Sequence, residues 1–156
     1  MKTNSKNKNY LNDRNNEIGM IIPTTEQIIK LLIAIALGGI VGLEREKMHK
    51  PAGLRTHILV CIGAALATIV SVDYFGADPA RIAAAIMTGI GFVGAGAIIA
   101  SGKDIHGLTT AASIWTIAAI GITIGVGYYI LASIAAVLVL VVLVFGKIEK
   151  VVVKKK

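Results

Sequence analysis

Residues 78–100 read DPARIAAAIMTGIGFVGAGAIIA, with an acid, a proline and an arginine at the start and no further charge. An uncharged stretch of roughly twenty residues matches the roughly 30 Å hydrocarbon core of a bilayer at about 1.5 Å rise per helical residue. Gly89, Gly91, Gly94 and Gly96 crowd its second half. In water each glycine costs a helix about 1 kcal/mol relative to alanine. In lipid, small residues let neighbouring backbones approach closely, where no hydrophobic drive brings helices together. The segment is therefore expected to be the central and most tightly packed transmembrane helix.

The rest of the chain repeats the theme. Apolar blocks predict helices over 24–43, 54–72, 108–126 and 128–145, set apart by short polar turns and, between the last two, by Gly125 and Gly127, which break the pattern. Thr24 and Gln27 form a capping-box start signal for the first. Ala34, Gly38 and Gly42 recur every four residues and give it a small-residue face. The last block is rich in valine and leucine and suits a peripheral position facing lipid. With 55% apolar residues and a mean hydropathy of +0.76, the chain falls outside the range of ordinary soluble domains. The fold expected is an all-α polytopic bundle of about five transmembrane helices over residues 23–146. An asparagine- and lysine-rich segment, 1–22, precedes it as a disordered tail without signal-peptide character, and a basic tail, 147–156, follows.

Charge sets orientation and narrows the partners. The net charge is +7, yet the basic residues form no groove or recognition motif, so anionic lipid headgroups are expected rather than nucleic acid. Arg45, Lys47, Lys50, Arg55, Lys103 and the C-terminal lysines fall on one side of a five-helix topology. The positive-inside rule makes that side, and the C-terminus, cytoplasmic. Tyr74, Phe75, Tyr128 and Tyr129 then line the outer interface, and the basic N-terminal tail is the discordant element.

Gly89-Ile90-Gly91-Phe92-Val93-Gly94 is a literal G-x-G-x-x-G, but a dinucleotide site needs it at a strand-to-helix turn, with an acid about twenty residues later. Inside an unbroken apolar run it reads as helix packing. Asp78 is a good N-cap with proline at the first helical position, and Arg81 can pair with Asp78 or Asp73. The competing reading makes Asp73 and Asp78 an outer divalent-cation site. Against it, a helix N-terminus carries partial positive charge. Lys30 is expected to snorkel and pair with Glu26, and Arg55 to snorkel or pair with Glu44 or Glu46. His57 and Cys61 share a helix face, but two ligands fall short of the four of a closed zinc site, so a packed histidine and a buried thiol are expected. Thr109, Thr110 and Ser113 can bond carbonyls of their own or a neighbouring helix, and Trp115 is expected to pack on a neighbour. His106 can titrate near neutral pH but has no nucleophile or substrate beside it. No arrangement for catalysis and no cofactor motif emerges.

Five blocks in register, GGIVGLERE (38–46), PAGLRTHILVCIGA (51–64), DPARIAA (78–84), GIGFVGAGAII (89–99) and HGLTTAASIW (106–115), resemble the signature blocks of the MgtC/SapB membrane proteins. The resemblance covers roughly residues 30–127. It implies a prokaryotic inner- or plasma-membrane protein linked to magnesium limitation and growth inside host cells. For the member that names the family it implies modulation of the F-type ATP synthase. It carries the functional acids and bases onto Glu44, Arg45, Arg55, Asp78 and Arg81, and it places His106 where many relatives have arginine or lysine. The chain ends ten residues after the fifth predicted helix, so it resembles the shorter SapB-like form rather than members that continue into a soluble domain. The expected role is regulatory and non-enzymatic, through contacts with other membrane proteins or as a homodimer. A small magnesium or proton transporter is the alternative.

Overall fold

The computed structural model describes residues 23–74, 78–99 and 106–153. It contains five helices: α1 (Thr25–Lys47), α2 (Leu54–Tyr74), α3 (Pro79–Ile99), α4 (Leu108–Val126) and α5 (Tyr129–Val153). The first four are long and apolar enough to cross a membrane, and α5 carries a shorter apolar stretch over Tyr129–Phe145. The chain is a multi-pass, all-α membrane protein. The N-terminal tail 1–22, Phe75, residues 101–105 and the terminal lysines 154–156, to which the sequence assigns tail, interface and loop roles, lie outside the described residues.

Local chemistry sets the helix ends. Thr24 Oγ1 accepts from Gln27 N at 3.3 Å, and Gln27 Oε1 accepts from Thr24 N at 2.9 Å, so the capping box is complete. α1 runs a full turn beyond the predicted Leu43 and ends where His49 turns into left-handed backbone, φ 50°. There Lys50 N–H reaches back to Arg45 O at 3.1 Å, satisfying a carbonyl that the helix end would orphan. The Glu46 carboxylate caps the next helix, accepting from Leu54 N–H at 2.9 Å. α4 stops at Gly127, φ 99°, where Tyr128 N–H bonds Thr123 O at 3.0 Å. Gly125, which the sequence reads as a break, lies inside α4 and is buried.

The centre of the bundle is α2 against α4, not α3. α1 covers α2 on one side, α3 lies mainly along α4, and α5 packs on α4 and α1. α2 and α4 run parallel and approach through glycines. A Cβ added at Gly121 would sit 2.5 Å from the Cys61 carbonyl oxygen, and one at Gly125 2.5 Å from Thr68 Cβ. α1 meets α2 the same way: at Gly42 an added Cβ would lie 2.8 Å from Leu54 Cα, and at Gly38 2.9 Å from the His57 carbonyl oxygen. Ala34, Val41, Cys61, Ala65, Ile117, Ile120 and Ile124 fill the core.

α3 corrects the expectation drawn from its glycines. Gly94, at ordinary contact distance from Ala111 of α4, is the only buried residue among its described side chains. Among the described residues, nothing outside α3 stands within 4 Å of a Cβ built on Gly89, Gly91 or Gly96. The expectation failed because glycine content reports that a close approach is permitted, not which helix makes it. Trp115, expected to pack on a neighbour, is 50% exposed on α4.

Candidate functional site

The polar side chains gather in two layers, one at each end of the bundle, with the apolar core between them. At the end near the α1–α2 turn, the C-terminus of α1 and the N-termini of α2 and α4 meet. Arg45 is buried there, and its Nε donates to Glu44 Oε2 at 2.6 Å. A guanidinium removed from water needs such a partner, because an unpaired buried charge costs several kcal/mol. The two-glycine approach of α1 to α2 brings this pair beside His57, which lies one turn inside α2 and is fully buried.

His57 is held at both ring nitrogens. Nδ1 faces the Gly53 carbonyl oxygen at 2.9 Å, and Nε2 faces Ser113 Oγ of α4 at 3.1 Å. Ser113 Oγ in turn donates to Thr110 O at 2.8 Å. Arg45, His57, Thr110 and Ser113 thus form a buried polar layer joining α1, α2 and α4. Glu46 and Gly53 close it from the turn: the carboxylate that caps α2 occupies the space where a side chain at Gly53 would go.

At the opposite end, Lys30 is buried and its Nζ pairs with Glu26 at 3.0 Å. Its stem reaches the end of α4, where Lys30 Cε lies 4.0 Å from a Cβ built on Gly127. A cation is favourable beside the negative end of a helix dipole. Gln27 Nε2 donates to Asp73 Oδ2 at 2.6 Å, tying α1 to the end of α2. The buried Ser71 hydroxyl has no hydrogen-bond partner among the described residues.

The structure sorts the residues singled out in the sequence. Glu44 and Arg45 sit in the first layer, whereas Arg55, one residue into α2, is exposed. Glu44 and Glu46, its suggested partners, are occupied by Arg45 and by the Leu54 N–H. Asp78 and Arg81 are both exposed at the start of α3, and Asp78 Oδ1 accepts from the Arg81 backbone N–H at 3.2 Å, the N-cap role. Lys30 pairs with Glu26 and Arg45 with Glu44, whereas the suggested pairing of Arg81 with Asp78 or Asp73 is not formed among the described residues. Asp73 is engaged by Gln27, and no three His, Cys, Asp or Glu among the described residues come together as metal ligands. His57 and Cys61 share a face as expected, but both imidazole nitrogens are turned to other partners. The histidine–serine contact was missed because its partners are 56 residues apart. The available signal was that each is a polar residue close to the start of an apolar helix.

Chemically this layer can hold, orient and exchange protons along hydrogen bonds, and it offers no activated nucleophile. Comparison with known proteins gives it a family. The model of the MgtC family matches residues 31–151, which include the layer of Arg45, His57, Thr110 and Ser113 and, of the second layer, Ser71 and Asp73. The chain is 47% identical over 129 residues to the putative magnesium transporter YhiD of Escherichia coli K12, covering 77% of this chain and 60% of that protein. It is 43% identical over 113 residues to protein MgtC of Salmonella typhimurium, covering 72% and 49%. An uncharacterized protein of Haemophilus influenzae is 43% identical over 123 residues, covering 72% and 52%. The chain therefore spans about half to three fifths of the length of these curated relatives. No solved structure matches it. On the family match across most of its helices, and on relatives well above 30% identity, the chain belongs to the MgtC family.

Proposed function

We propose that this chain is a non-enzymatic, regulatory membrane protein of adaptation to magnesium limitation, acting through helix contacts with another membrane protein. The observation that carries the reading is the uncovered face of α3. Gly89 and Gly96 weaken that helix, have no described residue of another helix within 4 Å of a Cβ built on them, and share one side of it with Phe92, which is 78% exposed. Glycines facing only lipid bring no packing in return; glycines facing another helix permit close approach. The magnesium link rests on the family and on the name of the E. coli relative. The excess of basic residues around the α1–α2 turn supports a prokaryotic inner-membrane orientation with that turn and the C-terminus in the cytoplasm. Subunits of the F-type ATP synthase and a second copy of this chain are the partners to examine first.

The name of that relative also favours a transporter reading, for which Asp78 and Arg81 would be the polar entrance. The apolar filling between the two polar layers supports the regulatory reading instead, because Ile117, Ile120 and Ile124 occupy the middle of the bundle without a polar lining. The deciding experiment has two arms. A photo-crosslinker at Phe92, in cells grown at low magnesium, should capture a membrane protein. The purified chain in liposomes should pass neither magnesium nor protons above empty vesicles. Magnesium flux that disappears in Asp78→Asn would overturn the proposal.

A further inference from the structure

The three contacts around His57 contain one proton too many for a neutral ring. A carbonyl oxygen can only accept, so the 2.9 Å contact to Gly53 O requires a proton on Nδ1. A neutral imidazole then presents a lone pair at Nε2, and the 3.1 Å contact to Ser113 Oγ needs the serine to donate. Yet the same serine, with one hydroxyl proton, is set 2.8 Å from Thr110 O, a second pure acceptor. All three contacts are hydrogen bonds at once only when the ring carries two protons. In that state Nδ1–H donates to Gly53 O, Nε2–H donates to Ser113 Oγ, and Ser113 O–H donates to Thr110 O.

We propose that His57 is a proton-binding site coupled to α4: a proton taken from water onto Nε2 turns the Ser113 hydroxyl from the imidazole to the Thr110 carbonyl. No covalent bond other than N–H forms, and loss of the proton reverses the turn. The surroundings place the ring between opposing influences. Burial opposes the charge and the Gly53 carbonyl of the preceding turn favours it; from α1, Arg45 repels it and Glu44 attracts it; α4 presents the uncharged Thr110 and Ser113, and α2 adds the exposed Arg55. The hydrogen bonding of the neighbouring helix thus records whether the ring carries one proton or two. The proposal does not depend on the regulatory reading, since either a regulator or a transporter could use it.

The test is nuclear magnetic resonance of the full-length chain in lipid nanodiscs, titrated across about pH 4–9. Histidine labelled with ¹⁵N reports which ring nitrogens carry protons, and His49→Gln and His106→Gln assign the His57 signals. Combining ¹³C′-threonine with ¹⁵N-alanine isolates the Thr110 carbonyl, because Thr110-Ala111 is the chain's one Thr–Ala pair. Nδ1 should stay protonated throughout, Nε2 should gain its proton on acidification, and the Thr110 carbonyl shift should move with the same midpoint. Ser113→Ala should abolish the Thr110 movement while His57 still titrates, and Ser113→Thr should restore it. A neutral ring protonated at Nε2, a ring with one state across the range, or a Thr110 carbonyl that ignores the titration would overturn the proposal. If Ser113→Ala fails to fold, the wild-type tautomer and the Thr110 shift still decide it.

Discussion

α3 and α4 lie side by side and are of similar length, with four glycines in α3 and two in α4, yet they use them oppositely. In α4, Gly121 and Gly125 are one turn apart on the face that meets α2, and neither has room for a methyl group. In α3, Gly89, Gly91 and Gly96 face open space, and only Gly94 meets a neighbour. The difference lies in the partner. α2 offers Cys61, Ala64, Ala65 and Thr68 in the same rhythm, so two faces of small side chains fit together. A glycine-rich membrane helix therefore states a capacity for close contact, and the contact must be found on the other helix.

The comparison is broken most directly by adding one methyl group on each side. Gly121→Ala places a carbon against the Cys61 carbonyl and the Ala64 side chain, and backbone cannot move aside as a flexible side chain can. Overpacking costs typically about 1–3 kcal/mol, and this site should fall at the upper end of that range. Stability measured by denaturant titration in detergent micelles should drop accordingly. Full tolerance would mean that α2 and α4 are not in this register.

Gly91→Ala should act in the opposite sense. With nothing near the added carbon, the substitution should stabilise the isolated chain by about 0.4–1 kcal/mol, through helix propensity and a less flexible unfolded state. Gly96→Ala, one turn from Phe92 on the same side, should in addition reduce crosslinking from Phe92 if another helix lies against this face. A gain in stability with undiminished crosslinking would place the partner elsewhere on the bundle.

These two glycines also mark the limit of what a single sequence discloses. Local and periodic features were legible: the five apolar blocks, the Thr24–Gln27 capping box, Asp78 as an N-cap, and the Ala34–Gly38–Gly42 face. Each depends on residues within a few positions of one another. The central pairing of α2 with α4 was not legible, because it requires knowing that two helices separated by a third are neighbours and parallel. Gly125 read as a helix break for that reason, as glycine weakens a helix unless a partner fills the space it leaves. The candidate site divides along the same line. Glu44 and Arg45 stand out as charges beside an apolar helix, while His57 acquires meaning only once Ser113 is brought to it from α4.

Adjacent glycines in α1 sharpen the rule within a single turn. Gly38 and Gly39 are both buried, and composition cannot tell them apart. A Cβ at Gly38 would meet the His57 carbonyl oxygen at 2.9 Å and Cys61 Cβ at 3.0 Å, whereas one at Gly39 would meet the Ile58 side chain at 3.6 Å, an ordinary contact. Gly39→Ala should therefore shift stability by less than about 1 kcal/mol, with the gain in helix propensity partly offset by small adjustments of Ile58. Gly38→Ala should destabilise, because the obstructing oxygen belongs to the backbone of α2. The same detergent unfolding assay, run on the pair, separates burial from contact. Equal losses at both positions would mean that burial alone sets the cost; a loss confined to Gly38 would mean that the facing backbone does.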